Sequence, residues 1–401
     1  MFQPQLAAET VFQLRPAIHR RFVNVRSDER LGGFDFAEGR QRLHVAVISR
    51  KKRTRSKTFK TALFSVGGRS FDQTGRLSRL DDLIFMKSML LSFFVAASAL
   101  AQTPAAAPAR PAPQPQRAPT LANVAYGTHE RQVLDFYKAG SARPTPLLFF
   151  IHGGGWVNGD KANPGELEAC IAAGISVVSI NYRYSYQAQL AGVMPPVKWP
   201  LEDAARALQF VRSKAGEWNI DKERIGASGG SAGACSSLYL AFHDDMADPK
   251  SNDPVAREST RLWCAAVTGA QTSLDPKQLV QWTPNSRYGG HAFGFMDPND
   301  KKTRDTRFAE FLEKRESVLE WIKMYSPYEH VSKDDPPVYL IYSSAPAIGQ
   351  PQKDPTHTAN YGVKLQEHCK AIGAGCELVY PGAPNVKHAS NAEFLVETLR
   401  K

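Results

Sequence analysis

The chain has 401 residues, 42% of them hydrophobic, and a formal net charge of +11. That length allows one large domain or two ordinary ones. The charge invites a nucleic-acid partner, but about +9 of it falls within residues 1–85, so the rest of the chain is close to neutral and carries no basic footprint of its own.

Residues 1–85 form a basic extension, densest at Arg50-Lys51-Lys52-Arg53-Thr54-Arg55, with few turn signals and no sustained periodicity. Alone it would suit a nucleic-acid-binding arm. The adjoining stretch argues otherwise. Met86-Lys87-Ser88 leads into an apolar run that ends in Ala99-Leu100-Ala101 before Gln102. A charged start, a short apolar core and a small-residue cleavage site make 86–101 a secretory signal peptide, too short to span a bilayer. Such a peptide does not act from behind 85 residues. Translation is therefore expected to start at Met86 or Met89, and the extension to lie outside the native protein. The mature chain is expected to be secreted or periplasmic, with no nucleic-acid partner and no stable membrane insertion. Residues 102–120 are a Pro/Ala-rich linker with nothing to pack.

From 121 to 401, strands and helices alternate. Segments 124–126 and 132–137 read as an opening antiparallel pair, and 146–151, 175–180, 225–227, 263–268, 338–342 and 377–380 as buried strands. Segments 166–173, 199–218, 234–243, 307–324, 359–372 and 391–399 read as helices. This pattern predicts an α/β domain, a mostly parallel eight-stranded sheet with helices on both faces. The alternation lapses over about 270–306, where Trp282, Tyr288, His291, Phe293 and Phe295 stand among polar, Gly and Pro residues. That segment is expected to form a small cap.

Gly229-Gly230-Ser231-Ala232-Gly233 joins a strand to a helix and has the G-x-S-x-G form of a nucleophile elbow. Glycines let the turn close tightly, and the Ser231 hydroxyl is left over the helix N-terminus. A second register, centred on Ser228, would leave the strand almost no length. Acyl transfer also needs a base, an orienting acid and oxyanion donors. The strand ending at Ile151 runs into His152-Gly153-Gly154-Gly155-Trp156, whose bare N–H groups suit the oxyanion. Gly154, Gly155 and Ala232 are the expected donors, and Gly153 permits the turn. Neither glycine cluster fits a phosphate-binding pattern. The five cysteines fit no zinc spacing, and Cys369 with Cys376 is the expected disulfide.

These two motifs, about 75 residues apart, together with Asn181-Tyr182-Arg183-Tyr184, Asp203 and Tyr325-Ser326-Pro327, resemble the α/β-hydrolase superfamily. Within it the chain is similar to carboxylesterases of the hormone-sensitive-lipase-like and feruloyl/acetyl-xylan-esterase-like branches, over roughly 121–401. The resemblance implies a histidine after the last strand. Tyr380-Pro381-Gly382-Ala383 resembles the family's approach to it and His388 is the only histidine beyond, although Pro384 to Lys387 intervene and require a bulge. His357 is the rival; His152, His330 and His368 are read as structural. The implied acid follows the preceding strand, where Asp354 is the first carboxylate; Asp275 is the alternative. Arg183 with Asp203 reads as a buried ion pair. Trp156, Trp282 and Tyr288 would line the substrate pocket. The implied function is a secreted serine esterase acting through an acyl-enzyme, needing no metal or other cofactor, with acetyl or feruloyl esters of carbohydrates as substrates. An arylformamidase- or lipase-like hydrolase, and a catalytically silent binding protein of the same fold, are the alternatives.

Overall fold

The computed structural model describes residues 32–37, 42–47, 117–297 and 300–401. The chain divides into two units, Met1–Pro111 and Ala112–Lys401. In the first, strand Gly32–Ala37 pairs antiparallel with Arg42–Val47. The expected signal peptide and residues 102–116 of the expected linker lie outside the described residues. No helix among the described residues is long and apolar enough to cross a membrane.

In the second unit, eight strands form one sheet: β1 (Leu121–Ala125), β2 (Val133–Tyr137), β3 (Thr145–Ile151), β4 (Ser176–Ile180), β5 (Ile220–Gly230), β6 (Cys264–Thr268), β7 (Val338–Ile341) and β8 (Cys376–Val379). Their spatial order is β8-β7-β6-β5-β3-β4-β2-β1. β1 with β2 and β2 with β4 are antiparallel, and every other pair is parallel. The eleven α-helices among the described residues are α1 (Leu167–Ala172), α2 (Ser185–Leu190), α3 (Lys198–Ser213), α4 (Ala215–Trp218), α5 (Ala232–Phe242), α6 (Pro276–Trp282), α7 (Arg304–Glu313), α8 (Leu319–Tyr325), α9 (Pro327–His330), α10 (Ala359–Ile372) and α11 (Asn391–Leu399). This is the α/β-hydrolase arrangement.

The period-two geometry of a strand sends successive side chains to opposite faces, so a central strand needs an apolar layer on each side. In β3, Leu147 and Phe149 enter the larger core with Leu208 of α3, Leu238 of α5 and Leu365 of α10. Leu148 faces the other way, into a smaller core with Cys170 of α1 and Leu395 and Leu399 of α11. That is why the buried strands read as unbroken apolar runs.

Two expected elements are divided. The predicted helix 199–218 ends at Ser213, with α4 a separate turn that Asn219 closes in the left-handed region at φ 59°. The predicted helix 307–324 is α7, a 3₁₀ turn Arg315–Val318, and α8. The break lies where Arg315 forks onto Asp275 with contacts of 2.6 and 2.7 Å. The cap-like segment holds α6 and a 3₁₀ turn, Gly290–Phe293. Phe293 and Phe295 pack on Phe311 of α7 at 5.6 and 5.1 Å between ring centroids. The expected Cys369–Cys376 disulfide is not formed: all five cysteines are free thiols, and these two hydrogen-bond side chain to side chain.

Candidate active site

β5 runs through Ser228, which pairs with Phe150 of β3 and Ala266 of β6, so Ser228 is strand and cannot be the turn. The turn is at Ser231, a non-glycine residue held at φ 55°, ψ −122° immediately before α5. Such a conformation costs on the order of 1–3 kcal/mol and persists only where its surroundings impose it. Here the Ser231 N–H donates to the Thr268 carbonyl at 3.0 Å, and the Ser231 carbonyl accepts from Cys235. The flanking glycines are fixed by close approach. A Cβ on Gly229 or on Gly233 would collide with the carbonyl oxygen of Ile151 at the end of β3. The elbow is thus pressed flat against the strand that carries the glycine loop.

His357 completes the pair. Its Nε2 lies 3.0 Å from Ser231 Oγ, and its Nδ1 lies 2.8 Å from Asp354 Oδ2. Both residues sit in the loop between β7 and α10. The Asp354 Oδ1 also accepts the N–H groups of Thr356 at 3.1 Å and His357 at 3.2 Å, which folds the four-residue stretch onto its own carboxylate. Burial pushes the Asp354 carboxyl up, but the His357 hydrogen bond and charge and the two backbone donors outweigh it and hold the group below its ordinary value. It stays ionised, an acceptor only, so His357 carries its proton on Nδ1 and leaves Nε2 free to accept from the serine.

The loop is pinned from several sides. Gln271 Nε2 donates to the Thr356 carbonyl at 2.7 Å, and Tyr361 Oη to the Pro355 carbonyl at 2.8 Å. Asn285 and Gln352 exchange two hydrogen bonds, 2.8 and 3.0 Å. These ties hold the imidazole where the serine needs it.

His388 is not at this site, which corrects the expected base. It is buried with Nδ1 2.7 Å from Glu377 Oε2 and Nε2 3.0 Å from Glu397 Oε2, and its ring stands edge-on to Phe394. It lines a cavity with Trp263, Pro337 and Gly375, residues that immediately precede β6, β7 and β8. Those are the N-terminal ends of the parallel strands, whereas Ser231 follows a C-terminal end. The ten residues after β8 run back along the sheet instead of over its top. Asp275, the alternative acid, is the N-cap of α6, accepting from Lys277 N–H and paired with Arg315. Asp354, expected on the imidazole of His388, is instead the carboxylate on that of His357.

The glycine loop lies opposite. Gly154 and Gly155 have φ of 100° and 60°, and their N–H groups donate to no backbone carbonyl among the described residues. His152 is structural, as expected. Its Nδ1 meets the Gly153 carbonyl at 2.7 Å and its ring stacks on Tyr182 at 4.3 Å, while burial lowers its pKa to about 4. Arg183 and Asp203 form the expected ion pair, 2.6 Å, with Gln132 Nε2 donating to the same carboxylate. A cavity of about 260 Å³ opens over Ser231, lined by Gly154, Gly155, Val157, Tyr288, His291 and His357 among others. Of the expected pocket residues, Tyr288 lines it. Trp156 is fully buried behind the wall, 6.3 Å from Tyr288 and 5.9 Å from His291, with its Nε1 donating to Ser236 Oγ. Trp282 does not line it; its ring packs on Tyr328 and Tyr361.

The BD-FAE family model matches residues 134–353, more than half of the chain. The chain belongs to the BD-FAE family. The match takes in the glycine loop and Ser231 and stops one residue before Asp354. Esterase LipC of Mycobacterium tuberculosis is 27% identical over 239 residues, covering 56% of this chain and 51% of LipC. Gut esterase 1 of Caenorhabditis elegans is 28% identical over 162 residues, 39% of this chain and 28% of that protein. The chain spans about half the length or less of these two curated relatives. A truncated carbohydrate esterase from gut microbiota has a similar fold, with a TM-score of 0.50 at 20% identity over 70% of this chain and 96% of that one.

Proposed function

We propose that this BD-FAE member is a serine hydrolase of carboxylic esters, with Ser231 as nucleophile, His357 as base and Asp354 as its orienting acid. The observation that carries the reading is the 3.0 Å contact between Ser231 Oγ and His357 Nε2, with Asp354 on the far nitrogen. Ser231 Oγ attacks the ester carbonyl carbon as its proton passes to Nε2. The carbonyl oxygen becomes an oxyanion, held by the N–H groups of Gly154, Gly155 and Ala232. Collapse of this adduct breaks the bond to the alkoxide, which leaves with the proton from Nε2. Water then repeats the sequence on the acyl-serine: it loses a proton to Nε2, attacks the carbonyl, and Ser231 Oγ departs with that proton. The imidazolium formed in each half is stabilised by the ionised Asp354. Each oxyanion donor is worth about 3 kcal/mol of transition-state stabilisation.

The esterase names of the relatives support esters as substrates, and the carbohydrate esterase supports acyl groups on sugars. Acetyl or feruloyl esters of carbohydrates are the substrates we assign. A silent binding protein would be favoured by a missing base; an imidazole within hydrogen-bond reach of the serine speaks against it. The segment 86–101 supports export of the mature chain, which N-terminal sequencing of the native protein checks: a start at Gln102 is expected, and a start at Met1 contradicts it.

The test of the activity is hydrolysis of a series of nitrophenyl acyl esters and of acetylated and feruloylated xylan by the wild type and Ser231→Ala. Turnover lost in the variant supports the mechanism. Turnover that survives there, or a folded wild type inert on the whole series, overturns it.

A further inference from the structure

Two residues that line the Ser231 cavity carry buried polar atoms with no hydrogen-bond partner in the protein, His291 Nε2 and Tyr288 Oη. Both residues are about 95% buried, at 5% and 6% exposure. Leaving a buried donor or acceptor unpaired is costly, and two such atoms side by side at a cavity call for a partner from outside the protein. The two side chains are neighbours, with ring centroids 5.0 Å apart and nearly perpendicular. The imidazole nitrogen lies against the glycine loop, where a Cβ on Gly155 would sit 3.8 Å from it. Trp156 backs both rings and fixes the wall.

The chemistry of the pair is defined. Burial, opposed by a hydrogen bond with the Gly155 backbone and assisted by the charge of Arg304, lowers the His291 pKa to about 4, so the ring is neutral near pH 7 and offers one donor and one acceptor nitrogen. Burial raises the Tyr288 phenol well above its ordinary value, so it keeps its proton and can donate. Neither is charged, so the pair has no charge to balance an anion's, and a purely apolar chain would leave both atoms unpaired. A hydroxyl, which both donates and accepts, matches them.

We propose that Tyr288 and His291 recognise a hydroxyl group on the substrate, beside the scissile ester. The ligand's being an ester rests on the proposed hydrolase function; the binding chemistry does not. The hydroxyl belongs to the acyl group or to the alcohol, and the test separates the two. A site built to pair a hydroxyl discriminates against the analogue that lacks it, because its own polar groups are then left unpaired.

Binding is measured on Ser231→Ala, which removes turnover from the readout. Calorimetric titration compares 4-nitrophenyl 3-hydroxybutyrate with 4-nitrophenyl butyrate for the acyl side, and a monoacetylated methyl xyloside with cyclohexyl acetate for the alcohol side. In at least one pair the hydroxylated compound is expected to bind about tenfold more tightly. Adding Tyr288→Phe or His291→Phe to Ser231→Ala is expected to bring that ratio close to one. Tyr288→Phe removes a single oxygen and keeps the packing, so the proposal stays testable even where His291→Phe does not fold. Equal binding within both pairs, or a ratio unchanged by both substitutions, overturns it. A wild type that hydrolyses none of the four esters overturns the hydrolase reading, while the ratio in Ser231→Ala still decides this one.

Discussion

Asp354 and His357 stand three positions apart in one loop and are joined, Oδ2 to Nδ1, at 2.8 Å. Both residues are therefore positioned by a single connection between β7 and α10, and the loop after β8 brings no histidine to Ser231. The two histidines make opposite predictions. His357→Ala is expected to lower kcat by about 10⁴ or more. His388→Ala is expected to leave kcat within about threefold and to lower Tm by about 2–6 °C, because Glu377 and Glu397 lose their shared partner. Steady-state kinetics and thermal unfolding of the two variants check both.

Asp354→Asn retains the shape of the loop and removes the acceptor-only carboxylate. The amide then favours the wrong imidazole tautomer, and kcat is expected to fall about 10³–10⁴-fold with the circular dichroism spectrum unchanged. A loss of less than tenfold would mean that another group orients His357.

The elbow's geometry is tested at Gly233, where a Cβ would collide with the Ile151 carbonyl oxygen and crowd that of His152 at 2.7 Å. Both obstacles are backbone and cannot rotate away. Gly233→Ala is expected to destabilise the protein by about 2 kcal/mol or more, and to cost activity beyond that by shifting Ser231. Denaturant unfolding gives the first number and kcat the second.

Much of this was legible in the sequence because it is local. The elbow and the H-G-G-G loop each pack so closely that glycine is required, and that requirement shows in the chain as Gly229, Gly233, Gly153 and Gly154. Apolar runs marked β3, β4, β6 and β7, and α10 and α11 have the predicted bounds; β5 begins at Ile220, ahead of the predicted 225–227, because the charged Asp221 to Arg224 hide its first half. Asp354 was legible as the first carboxylate after β7. The base was not, because the similarity around Tyr380 to Ala383 points to a histidine beyond β8, and only the path of that loop shows His388 turned to the opposite end of the sheet. The available signal was Asp354-Pro355-Thr356-His357 itself, an aspartate placed to cap its own turn and present a histidine three residues on. The break between α7 and α8 was invisible for a similar reason: it depends on Arg315 reaching Asp275, forty residues away.

His152 and His291 make stability depend on pH. Burial lowers both to about 4; His152 has Arg131, Asp160 and the Gly153 backbone about it, and His291 has Arg304 and the Gly155 backbone. In the unfolded chain each titrates near 6.5, so between about 6.5 and 4 the unfolded state binds more protons than the folded one. Stability from these groups is complete above pH 6.5 and falls as pH drops towards 4, with no further loss below. The limit is on the order of 3 kcal/mol for each. Thermal unfolding from pH 7.5 to 4.5 is expected to show Tm falling with acid, and His291→Phe to flatten the slope.

The central claim is that Ser231 is activated by His357. Its most direct measurement is the rate of covalent labelling by a fluorophosphonate, followed by intact mass and mapped to the peptide that carries Ser231. The wild type is expected to take one adduct rapidly, His388→Ala to match it, and His357→Ala to label at least a hundredfold more slowly. Undiminished labelling in His357→Ala, with labelling lost in His388→Ala, would contradict the assignment.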